Sequence, residues 1–111
     1  MDCLFCKIGK KEIPSKLVHE DPQCFAFRDL NPQAPTHILI CPFKHLERLS
    51  GMSAGDKELV GHLHWVAREI SQKEGLTDFR LVINNGPQAG QTVWHLHLHL
   101  LGGRAFGWPP G

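Results

Sequence analysis

Residues 95–100 read His-Leu-His-Leu-His-Leu, and this two-residue alternation is the strongest constraint on what the chain can fold into. Side chains on a strand point alternately to opposite faces, so a strand over 94–101 places His95, His97 and His99 on one side and Leu96, Leu98 and Leu100 on the other. The leucine side demands a core. The histidine side then carries a row of imidazoles repeating at roughly 6–7 Å along the strand, as two residues of rise require. That spacing suits a phosphate.

The remaining pattern supplies the core. Residues 17–20 and 24–28 read as a hairpin about the turn Asp21-Pro22-Gln23, the second segment being rich in aromatic residues. The β-branched apolar run 36–41, closed by Pro42, is short enough to be a central strand, and 79–84 reads as another. Ser53-Ala54-Gly55-Asp56 has the form of a capping box. Leu59, Leu63, Val66, Ala67 and Ile70 then recur at helical spacing until Gly75. Residues 3–11 have room for one short helix. Strands, helix, strands in that order predict a single α+β domain over 1–111, with a mainly antiparallel five-stranded sheet, one long helix and a short N-terminal helix. The helix covers one face and leaves the other for function. An open face or edge also gives such a domain reason to dimerise.

Charge and composition exclude several functions. Twelve basic and eleven acidic side chains nearly cancel, so the broad positive field that non-specific nucleic-acid binding needs is missing. No apolar run approaches the roughly 20 residues of a membrane span, and Met1-Asp2-Cys3 lacks the basic and apolar regions of a signal peptide. A cytoplasmic protein is the expectation, with neither a nucleic acid nor a membrane as partner. There the four cysteines stay reduced. Cys24 and Cys41, each within a predicted strand, read as small buried hydrophobes. Histidine is the outlying residue type, eight in 111. His62 and His64 fall on the helix surface, while Trp65 and Trp94 read as core or sheet-face packing.

Neutral imidazole is a competent nucleophile near pH 7, and its second ring nitrogen can donate to an acceptor that fixes tautomer and direction. One ring of the row can attack while its neighbours bind. Gly102-Gly103 after the strand, and Gly90-Gln91-Thr92 before it, offer backbone amides and polar groups for phosphate oxygens. Two other readings compete: a surface strand whose polar positions happen to be histidine, and convergence of all three imidazoles on a metal.

With these residues in view the chain resembles the histidine-triad (HIT) proteins, whose signature is His-x-His-x-His followed by apolar residues, and most closely their Hint branch. The likeness runs through Lys11-Glu12-Ile13-Pro14, Phe27-Arg28-Asp29, Pro32 to His37, Pro42 to His45, and Gly90-Gln91-Thr92 to Trp108-Pro109-Pro110-Gly111. The resemblance implies a homodimer whose sheets join, a purine nucleotide site of AMP or GMP type, and hydrolysis of nucleoside phosphoramidates without an organic cofactor. Carried over by position, His97 is the nucleophile, His99 holds an oxygen of the α-phosphate and His95 supports the row. Asp29 accepts from the ribose hydroxyls, with Phe27 and Leu30 beside base or sugar. Asn84, Gly90, Gln91 and Thr92 line the phosphate. His37 orients the row from behind, although a buried core histidine is a competing reading. Trp108 reaches a neighbouring protomer's pocket or simply packs. Two other functions fit the resemblance: dinucleoside polyphosphate hydrolysis, and nucleotide binding without turnover.

Cys3-Leu4-Phe5-Cys6 places two thiols where a single turn can aim both at one tetrahedral ion. The wider family implies the other two ligands, His45 and His95, and a structural zinc ion. A redox pair and two unconnected thiols are the rival readings.

Overall fold

The computed structural model describes residues 3–111; Met1 and Asp2, part of the start read above as lacking a signal peptide, lie outside the described residues. Five strands, β1 (Leu17–Glu20), β2 (Cys24–Arg28), β3 (Thr36–Pro42), β4 (Phe79–Val82) and β5 (Leu98–Gly102), form one antiparallel sheet in the order β1-β2-β3-β5-β4. Two helices accompany it, α1 (Leu4–Gly9) and α2 (Lys57–Lys73). This is the α+β architecture that the patterning predicts. Among the described residues no helix is long and apolar enough to cross a membrane.

Alternation along the strands builds two cores. On one face Cys24 and Ala26 of β2, Ile38 and Ile40 of β3, and Leu98 and Leu100 of β5 meet Leu63, Val66, Ala67 and Ile70 of α2. Those α2 positions repeat at the helical period, which is why this helix lies flat on the sheet. Each fully buried leucine or isoleucine here contributes about 1.5–3 kcal/mol. The expected capping box forms, Ser53 and Asp56 satisfying each other's backbone N–H groups, and it opens a 3₁₀ turn over Ala54–Asp56 that leads directly into α2. Cys24 and Cys41 are fully buried and unbridged, as expected of small hydrophobes.

The opposite face differs from expectation. It is not bare: α1 lies against it, and Phe5 and Ile8 pack with Phe25, Phe27, Leu39 and Cys41 in a second core. The approach is close, since a Cβ on Gly9 would stand 2.7 Å from the Phe25 ring. The open space on this face is therefore the gap between α1 and the sheet.

Three other expectations need correction. The β5 ladder starts at Leu98, not Trp94, because the backbone N–H of Leu96 donates to Leu46 O at 2.6 Å and the imidazole of His95 takes up Pro42 O at 2.7 Å. Those groups are thereby unavailable to a ladder extended along β3. Side-chain alternation survives nonetheless, Leu96 being buried with Leu98 and Leu100. Trp65 and Trp94 are 55% and 39% exposed rather than packed inside, each lying under an arginine, Arg68 and Arg48 respectively. Finally, β4 stops at Val82, two residues short of the predicted end.

Candidate active site

Cross-strand register decides which side chains meet on the α1 face. His99 of β5 pairs with Leu39 of β3, which pairs with Phe27 of β2, so the three side chains form one row across the sheet. His37, two residues before Leu39 on the same face, comes diagonally against His99. Below this row lies a cavity of about 330 Å³, at the small end of the range for ligand pockets. Phe27, Leu39 and His99 line it from the sheet, His97 from just before β5, Leu4, Phe5 and Ile8 from α1, and Asp29, Leu30 and Thr92 from the loops. Leu30 stands at the rim, 90% exposed.

The hydrogen bonds fix which nitrogen of each imidazole carries its proton. His97 Nδ1 lies 2.6 Å from the carbonyl of His95; a carbonyl only accepts, so Nδ1 donates and Nε2 retains its lone pair. Gln33 N–H donates to His37 Nδ1 at 3.0 Å, which puts the proton of neutral His37 on Nε2. That group donates to His99 Nδ1 at 2.9 Å, with Asp29 Oδ2 3.4 Å away. His99 therefore carries its proton on Nε2, a buried atom without a partner. An orphaned donor of this kind is costly unless a ligand accepts from it. Phe5 braces the row, its ring edge-on to that of His97 at 4.9 Å between centroids.

Burial is the main influence on the charge of this row. It pushes His97 and His37 below the ordinary imidazole range and His99 down to about 4, where the neighbouring His97 and His37 add to the effect. The negative charge of Asp29 opposes the shift in all three. Near neutral pH the rings are uncharged, so His97 keeps a lone pair and His99 keeps a donor.

Not every expected residue faces this cavity. Gln91 is buried in its own loop: its amide donates to Glu47 O and Val93 O and accepts from Gly86 N–H, so its side chain shapes the loop. Gly90, at φ 97°, permits that turn. Neither residue, nor Asn84, lines the cavity. Asn84 and Trp108 instead share a groove beside β4, with Trp108 85% exposed. Gly102 lies in the ladder beside Leu76, which a Cβ would meet at 2.6 Å, and Gly103 (φ 93°) abuts Pro35. Both serve packing. Leu4, Phe5 and Ile8 form cavity walls that the sequence does not mark, α1 being too short for their spacing to show a helical period.

His95 turns away from the row. Its Nε2–H donates to Pro42 O, leaving Nδ1 free at 3.2 Å from His45 Nδ1, 3.3 Å from Cys3 Sγ and 3.5 Å from Cys6 Sγ, with Cys6 Sγ 3.4 Å from His45 Nδ1. A tetrahedral ion with metal–nitrogen bonds of about 2.0–2.1 Å and metal–sulfur bonds of about 2.3 Å separates such ligands by roughly 3.3–3.8 Å. The four side chains thus fit one ion closely. The Pro42 bond supplies the outer-shell acceptor that holds the His95 tautomer.

The HIT domain family model matches residues 10–106. An uncharacterised HIT-like protein of Synechocystis sp. is 55% identical over 111 residues, covering 99% of this chain and 97% of that protein. A 14 kDa zinc-binding protein of Zea mays is 53% identical over 112 residues, covering 97% and 87%. The crystal structure of a HIT family hydrolase from Legionella pneumophila superposes with a TM-score of 0.97 at 49% identity, over 99% of this chain and 100% of that one. With the alternating histidines folded as the family signature requires, these likenesses in sequence and in three dimensions establish that the chain belongs to the HIT domain family.

Proposed function

We infer that this chain is a hydrolase of the Hint branch that cleaves the P–N bond of purine nucleoside phosphoramidates, such as AMP or GMP linked to an amine, through a nucleotidyl-His97 intermediate. One observation carries the reading: two neighbouring neutral imidazoles hold opposite tautomers, His97 with a free lone pair on Nε2 and His99 with a free donor on Nε2. An attacking atom and a donor for a phosphoryl oxygen are what a displacement at phosphorus asks of a protein.

His97 Nε2 attacks the α-phosphorus and forms a new N–P bond. The P–N bond to the amine breaks, and the amine leaves with the bonding pair and takes a proton from solvent. The ring becomes cationic, and its Nδ1–H to His95 O stabilises that charge. Water then attacks phosphorus, the Nε2–P bond breaks, and the nucleotide departs as a proton passes to solvent. Two in-line displacements return phosphorus to its starting configuration. His99 Nε2–H donates to an α-phosphate oxygen throughout, and the relay from Gln33 through His37 holds it in that tautomer. Asp29, at the cavity mouth, accepts from the ribose hydroxyls while Phe27 and Leu30 contact base or sugar. Thr92, with the loop that Gly90 and Gln91 shape, borders the phosphate.

Cys3, Cys6, His45 and His95 would hold a structural zinc ion, all four positions being filled by protein. That ion supplies a crosslink between α1 and the catalytic strand rather than a group for the reaction. The working unit is a homodimer in the cytoplasm, joined through β4, an edge strand with partly exposed Phe79. Trp108 and Asn84 lie on that side and would reach the partner's pocket.

Turnover of AMP linked to a small amine, compared with that of diadenosine polyphosphates, tests the reading. Preference for the amine conjugate by at least tenfold in kcat/KM is expected. The reverse preference would instead place the chain in the dinucleoside polyphosphate branch, and binding without turnover of either would make it a nucleotide-binding protein.

A further inference from the structure

A second group of metal-ligating side chains lies on the other side of the sheet from the catalytic row. Asp21, in the turn between β1 and β2, gathers five donors: the backbone N–H groups of Gln23 and Cys24 on Oδ1 (2.7 and 3.0 Å), and His19 Nε2, His62 Nε2 and Cys24 Sγ on Oδ2 (2.6, 2.8 and 3.4 Å). A carboxylate offers about four lone-pair sites, two on each oxygen. Three donors on Oδ2 exceed its share. They also come from three separate elements, β1, β2 and α2, so this convergence is a product of the tertiary fold and not of one local turn.

We propose that His19, Asp21 and Cys24, with His62 as fourth ligand, form a second site for a zinc-class divalent ion. One ion beside Oδ2 would replace the three crowded protons with two nitrogens, one oxygen and one sulfur, a donor set suited to tetrahedral zinc or cobalt. His19, Asp21 and Cys24 already present ligand atoms within 4.8 Å of one another. The two imidazoles are at hydrogen-bonding distance from Oδ2 and must retreat by about half an ångström to reach ligand separations. They have room to do so, with side chains 21% and 27% exposed. The proton balance is simple. Each neutral imidazole shifts its proton from Nε2 to Nδ1, Cys24 releases its thiol proton to solvent, and one proton leaves per ion bound. The ion would tie the β1–β2 turn to α2 on the side of the sheet remote from the cavity.

Cobalt(II) titration followed through the thiolate charge-transfer band, with zinc equilibrium dialysis for stoichiometry, tests this. Wild-type chain is expected to bind two ions. Cys6→Ser, which disrupts the first site, is expected to keep one ion, with its cobalt–thiolate band. Cys24→Ser should remove the second ion and its band, and His62→Ala, on the half-exposed side of α2, should weaken it by at least tenfold without disturbing the core. A single ion in the wild type and none in Cys6→Ser would overturn the proposal. So would a second ion held with unchanged affinity in either Cys24→Ser or His62→Ala.

Discussion

Substituting His97 with alanine or glycine is expected to abolish turnover of an AMP-amine conjugate, by a factor on the order of 10⁴ or more, while nucleotide binding persists within a few-fold. The size follows from the role. A residue that forms the bond to phosphorus has no substitute in the pocket, and nucleophile deletions remove most of an enzyme's advantage over water. Binding survives because Asp29, Phe27, Leu30 and His99 remain around the same cavity. His99→Ala should cost less, roughly 10²–10³ in kcat, as expected for one lost donor to a developing charge. Steady-state kinetics with a direct binding measurement separates the two effects. A His97→Ala chain that turns over at the normal rate would refute the assignment.

Removal of the zinc ion proposed for the cluster Cys3, Cys6, His45 and His95 should be the largest single change in stability. A ligand present at 1,000 times its dissociation constant stabilises the folded state by about 4 kcal/mol, which for a domain of this size corresponds to a fall of roughly 10–20 °C in thermal midpoint when it is stripped. These four side chains join α1 to His45 and to the segment leading into β5, and α1 supplies one wall of the cavity, so activity should fall together with stability. Cys6→Ser should reproduce the effect in the presence of zinc. Melting curves with and without chelator, accompanied by metal analysis, read both quantities. Absence of zinc from the purified chain, with no change in midpoint on chelation, would remove this site.

The parts legible in the sequence are those in which a period reports burial directly. Leu96, Leu98 and Leu100 announce a strand with one core face, and Leu63, Val66 and Ile70 announce the helix that covers it. The covering of the other face was hidden because α1 spans only six residues, too few for Phe5 and Ile8 to display a helical period. Where β5 begins was equally hidden, since the ladder is interrupted by two distant acceptors, Leu46 O and Pro42 O, that local pattern does not encode. Gln91 and the glycines 90, 102 and 103 carried the right residue types for phosphate contact, yet their geometry is determined by Glu47, Leu76 and Pro35 from other parts of the chain. The Asp21 cluster was invisible for the same reason: His62 read as helix surface until the fold brought it to the β1–β2 turn. Cys3, Cys6, His45 and His95, spread over more than ninety positions, became a ligand set in sequence only through family resemblance; the distances now supply an independent reason.

The decisive step is the bond that the central imidazole, His97, forms to phosphorus. Rapid quenching of the enzyme during turnover of a slow phosphoramidate, followed by mass spectrometry of its peptides, measures this directly. One nucleotidyl group per chain is expected, attached at His97 and absent from the His97→Ala chain. Turnover with no covalent nucleotide at any time point, or with the group on another residue, would contradict it.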